Sequence, residues 1–202
     1  MSKKVFWCKN CLNMSTRPRI EFDNKCWCNA CQWSEEKKTF DWEGRKKELK
    51  KLLDKYRSNS GNFDCVVPVS GGKDGSYVAY TLKHKYGMNP LCITVAPALS
   101  LDLGDQNLKN FINSGYNHLH INPDVNIMQK LNKIGFVEKG FPYYGWLIAI
   151  QSAVIRTALN FNIPLLERME RLNTEAQPKP REIACCQSII KKKYGLRVGM
   201  IW

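Results

Sequence analysis

Apolar and polar positions change their rhythm three times along this chain of 202 residues. Residues 1–40 show no sustained period, only short apolar pieces such as Arg19-Ile20-Glu21-Phe22 between cysteines, which read as short strands. Residues 41–57 place Trp42, Leu49, Leu52, Leu53 and Tyr56 on one helical stripe with a Lys/Arg-rich opposite face, and Ser58-Asn59-Ser60-Gly61-Asn62 then breaks the chain. From residue 63 short apolar runs alternate with longer helical patterns. The strands predicted are 64–69, 91–95, 118–121 and one beginning at 163–166. The helices predicted are 74–86 (closed by Gly87), 105–114 (followed by Gly115), 124–134 and the more apolar 143–161. Strands alternating with helices predict βαβ units and a parallel sheet covered on both faces. The domain plan that follows is 1–40, a basic linker helix at 41–61, an α/β domain at 62–166 and a tail at 167–202.

The longest apolar stretch, Tyr143 to Ile155, is too short for a membrane span, and the N-terminus has no secretory apolar segment. A cytoplasmic location is therefore expected, with no membrane partner. The net charge of +13 is unevenly spread: +7 over residues 1–61, +2 over 62–166 and +4 over 167–202. Because the α/β domain is nearly neutral, a nucleic-acid partner is not expected from charge alone.

Five of the nine cysteines fall in the first 31 residues. Cys8-x-x-Cys11 and Cys28-x-x-Cys31, separated by 16 residues, have the spacing of a four-thiolate zinc site, in which two knuckles close a tetrahedral shell. Cys26 is the alternative to Cys28, which is favoured for its x-x spacing to Cys31. A segment of about 40 residues builds little core, so metal binding would supply its folding free energy. Cys65 and Cys92 lie in apolar runs and read as buried thiols. His84, His118 and His120 show no metal spacing and read as surface or packing residues.

Ser70-Gly71-Gly72-Lys73-Asp74-Gly75-Ser76 follows the first strand of the α/β domain and opens its first helix. Glycines let backbone N–H groups approach a phosphate, and a helix N-terminus favours negative charge. The spacing is neither that of a Walker loop nor that of a dinucleotide fold. At these residues the chain resembles the PP-loop ATPases, the adenine-nucleotide-alpha-hydrolase-like fold. The resemblance implies that Ser70, Gly71, Gly72 and Ser76 hold the pyrophosphate of ATP. It also implies that Lys73 offsets its charge and that Asp74 organises the loop and a Mg²⁺ ion. Gly75 departs from the serine that many such loops carry there.

The C-x-x-C…Thr16-Arg17-Pro18…Phe22…C-x-x-C arrangement and the run 70–91 are similar to the N-acetyl sugar amidotransferases of lipopolysaccharide O-antigen and flagellin-glycan biosynthesis. That resemblance, over residues 1–166, implies an AMP-forming enzyme that activates the acetamido oxygen of an N-acetyl amino sugar. Ammonia from a partner glutaminase subunit would then attack. Family members are longer, and after the strand near Leu166 they carry a run resembling GEDGEVEYGG. Codons for that run, read one base later, give the ERMERLNTEA found at residues 167–176, so the expectation is a truncated enzyme with a frameshifted tail, impaired in activity. Two other readings stand beside it: a PP-loop tRNA-modifying enzyme of the thiolation type, and a non-catalytic fragment binding zinc and ATP.

Overall fold

The computed structural model describes residues 4–167 and 197–199. These residues group into two compact units, one running to Glu48 and one from Leu49 onward.

The first unit is built on the cysteines. Backbone bridges join Trp7 to Met14 and Phe22 to Cys28, and α1 (Asn29–Glu36) grows directly out of the second knuckle. The short strand expected at 19–22 is reduced to the single bridge at Phe22, because Arg19 and Cys26 adopt left-handed backbone that interrupts any ladder. The helix α1 was not expected. The buried core of the unit is Cys8, Cys28 and Cys31, with Ile20, Phe22, Trp27 and Ala30 half-buried around them.

Helix α2 (Trp42–Tyr56) carries the predicted stripe except for Trp42, which is exposed, and Leu53 is fully buried on it. Leu49, Leu52, Leu53 and Tyr56 pack into the core of the second unit. Arg57, just past α2, donates to the carbonyls of Tyr86 and Gly87. Asp64 is buried and accepts from the backbone N–H groups of Ser58 and Asn89, which pins both ends of the 58–64 segment.

The second unit is the expected α/β architecture. Its strands are β1 (Cys65–Pro68), β2 (Pro90–Val95), β3 (Asn117–Ile121), β4 (Leu165–Glu167) and β5 (Arg197–Gly199), in the order β3-β2-β1-β4-β5 and all parallel. Its helices are α3 (Lys73–Tyr80), α4 (Asp102–Asn113), α5 (Val125–Lys139) and α6 (Tyr144–Asn160). Alternate residues of the central strands feed two cores, as a sheet covered on both faces requires. Cys65, Val67, Val69, Cys92 and Leu165 meet Ala79, Leu82, Leu108 and Phe111 on one face. Val66, Leu91, Ile93 and Leu166 meet Val154 and Ala158 on the other. Chain order runs outward from β1 through β2 and β3, then returns to β4 on the opposite side of β1. The carboxyl end of β1 is thus the place where strand order reverses.

Two details of this unit differ from the sequence reading. The helix predicted over 74–86 is α-helical only to Tyr80 and continues as a wider π turn over Thr81–Lys85, closed by Tyr86 N–H on Thr81 C=O. A fifth strand, Arg197–Gly199, pairs with β4, so β4 is not the bare edge that four strands would leave. The rest of the tail assigned to 167–202 lies outside the described residues. Among the described residues no helix is long and apolar enough to cross a membrane.

Candidate functional site

The four cysteines of the two knuckles converge as predicted, with all four sulfurs within 4.8 Å of one another. Cys8 Sγ lies 3.8 Å from Cys31 Sγ, Cys11 Sγ 3.5 Å from Cys28 Sγ, and Cys28 Sγ 3.7 Å from Cys31 Sγ. Four thiolates around one tetrahedral ion at about 2.3 Å stand about 3.8 Å apart, so the donor set fits a single metal ion. A cubane iron–sulfur cluster gives each thiolate its own iron and separates the sulfurs by roughly 6 Å, which is wider than this cage. Cys26 stays outside the group, its backbone left-handed at φ 59°.

The cage is prepared for anionic sulfur. Cys8 Sγ accepts from the backbone N–H of Asn10 at 3.4 Å and of Cys28 at 3.2 Å. Burial opposes ionisation of Cys8, but the N–H groups of Cys28, Cys11 and Asn10 outweigh it and bring the thiol down to about 6. Burial pushes Cys31 up to about 12. A cation at the centre would overcome that cost.

The residues Ser70–Ser76 follow the carboxyl end of β1. Gly71 has φ +76°, and a Cβ there would stand 2.7 Å from the backbone N of Leu108 in α4. Both the left-handed backbone and the close approach demand glycine. Gly72 is the N-cap of α3, and no side chain caps the helix, so the first-turn N–H groups lack intrahelical partners and face outward. Ser70, Gly72, Lys73 and Asp74 are exposed, Ser76 is half-buried, and Gly75 is buried on the inward side of α3 beside Ala79. The structure therefore gathers all seven residues of the loop at one turn, with Lys73 and Asp74 open to solvent.

Sequence reasoning missed what holds the loop from beneath. The buried Thr94 hydroxyl donates to Val69 C=O at 2.7 Å, immediately before Ser70. Its proton is spent there, so its contact with His118 Nε2 at 2.8 Å is one in which the imidazole donates. Burial, followed by the neighbouring His120, holds His118 below its ordinary value. Trp146 Nε1 donates to Val95 C=O at 3.1 Å and fixes the end of β2. Nothing in the spacing of His118 or Thr94 marks them, because the two meet only across the β2–β3 register, where Cys92 pairs with His118 and Thr94 with His120.

No family model matches the chain. An uncharacterized protein of Methanocaldococcus jannaschii is 33% identical over 89 residues, which is 44% of this chain and 32% of the relative, so the chain spans about a third of that relative's length. Two solved structures are similar. A predicted subunit of tRNA methyltransferase from Methanocaldococcus jannaschii has a TM-score of 0.45 and 19% identity over 67% of this chain and 66% of its own. The U34-tRNA thiolase NcsA from Methanococcus maripaludis, solved with its [4Fe-4S] cluster, has a TM-score of 0.47 and 15% identity over 96% of this chain and 66% of its own. These findings correct the sugar-amidotransferase expectation: the named structures are tRNA-modifying proteins and not enzymes of amino sugars or surface glycans. What stands is the class, an α/β fold with a parallel sheet and a four-cysteine group consistent with a zinc ribbon.

Proposed function

We propose that this chain is a PP-loop ATPase of the AMP-forming type that acts on RNA, in the tRNA-modifying class. The observation that carries the ATP reading is the place of Ser70–Ser76: a glycine turn and an uncapped helix N-terminus at the switch point of a parallel sheet. In this reading the N–H groups of Gly71 to Asp74 and the hydroxyls of Ser70 and Ser76 bind the pyrophosphate of ATP. Lys73 offsets its charge, and Asp74 orients the loop and accepts a Mg²⁺ ion. Donors fixed before the reaction stabilise charge as it develops on the departing pyrophosphate. Cys8, Cys11, Cys28 and Cys31 hold Zn²⁺, which shapes the first unit and takes no part in the chemistry.

The RNA reading is supported by charge and replaces the sequence-level expectation of no nucleic-acid partner. Lys46, Lys47, Lys50, Lys51 and Lys55 are all exposed along α2. A polyanion recruits such a face by releasing counterions. In calorimetry Lys73→Ala should weaken ATP binding tenfold or more while zinc content stays unchanged. Unaltered ATP affinity would refute the loop assignment, and a chain that fails to retain tRNA at moderate salt would refute the RNA substrate.

A further inference from the structure

Helix α3 and the π turn that continues it carry a surface stripe of which the phosphate site uses only the first residue, Lys73. Lys73, Tyr77, Tyr80 and His84 recur at helical spacing and fall along one line, while Gly75, Ala79 and Leu82 are buried on the opposite side. Tyr77 is 61% exposed and Tyr80 49%. Three rings lie in succession: Tyr80 and His84 are 4.7 Å apart between centroids, and His84 meets Tyr116 edge-on at 6.4 Å. Cations are set among them. Lys85 Nζ stands 5.7 Å from the Tyr77 ring centre, and Lys83 Nζ, which donates to Gly115 C=O, stands 4.7 Å from that of Tyr116. The only carboxylate between Lys73 and Met88 is Asp74.

We infer that this stripe is a track for single-stranded RNA, leading the strand to the phosphate loop; the inference rests on the RNA reading above and gives that substrate its path. Unpaired bases stack on tyrosine and histidine faces whatever their sequence, and interleaved lysines follow the phosphates. A protein partner fits less well, because buried protein interfaces are depleted of lysine, whereas here Lys85 and Lys83 stand at the Tyr77 and Tyr116 rings. A duplex fits less well because its base faces are already stacked. From Lys73 to His84 the line is about 16 Å long, room for roughly three bases. Its upper end is Lys73 itself, so a strand lying on it delivers a nucleotide to the loop.

The test is fluorescence anisotropy of the full chain with a labelled oligouridylate of about ten nucleotides, alongside calorimetric ATP binding. Tyr77→Ala with Tyr80→Ala should weaken RNA binding at least about twentyfold, with ATP affinity and zinc content unchanged. Tyr77→Phe with Tyr80→Phe should bind as the parent does, and Lys85→Ala should lower the log–log salt slope by about one. Parental RNA affinity in the double alanine variant overturns the track. A parent that binds ATP but no RNA overturns both the track and the RNA substrate. Loss of RNA binding in the alanine variant of a chain that binds no ATP upholds the track and refutes the ATP reading alone.

Discussion

The hydrogen bond from His118 Nε2 to Thr94, and from Thr94 to the carbonyl preceding Ser70, ties the loop to the outer strand through two side chains. The imidazole is held below the ordinary 6.5 by burial and by His120. The unfolded chain therefore takes up this proton first as pH falls, and folding stability drops from pH 6.5 downward until the native His118 titrates. A ring-proton titration by NMR should place His118 below 6.5. His118→Gln keeps a donor at that point without titrating, and should flatten the acid side of the melting-temperature profile; an unchanged slope would contradict the role of His118. Gly71 and the cysteine spacing were readable in the sequence because backbone conformation and tetrahedral geometry impose residue type locally. Thr94 and His118 were not readable, because their meeting depends on strand register.

At the scale of elements, α5 and α6 pack through glycines. A Cβ on Gly145 would stand 2.7 Å from Leu131 Cβ and 2.9 Å from Asn132 Oδ1, the same oxygen that accepts from Gly145 N–H. Gly104 on α4 has nothing within 4 Å. Gly145→Ala should cost about 1–3 kcal/mol in denaturant unfolding, and Gly104→Ala should be neutral or stabilise by up to about 1 kcal/mol; equal effects would refute this account of the contact. The helices of the second unit were legible from period and from closing glycines such as Gly87 and Gly115, both left-handed. The eight-residue α1 was hidden because a metal knuckle, not an apolar stripe, starts it. The π turn was hidden because no residue type encodes it, and the three residues of β5 were hidden because they carry too short a pattern.

At the scale of the molecule, the two units draw their stability from different sources. The second has two apolar cores, one on each face of its sheet, whereas the buried core of the first is three cysteines. Removing the metal with a strong chelator should abolish amide protection over residues 8–31 and leave that of β1, β2 and α6 intact. Loss of protection in both units at once would contradict separate sources of stability. The same partition explains why the fold class was clear from the sequence while the substrate was not. Sheet and cage are written in periodicity and spacing, but the surface that meets a substrate follows no period of its own.

Gly71 rests against the backbone of α4, not against a side chain that could turn aside. Loop and helix are thus a single lever: a ligand that presses on Ser70–Gly72 must also displace, or be resisted by, the peptide groups around Leu108. The rigidity of the Ser70–Gly72 turn is borrowed from α4, and any device that tilts α4 would move the turn with it.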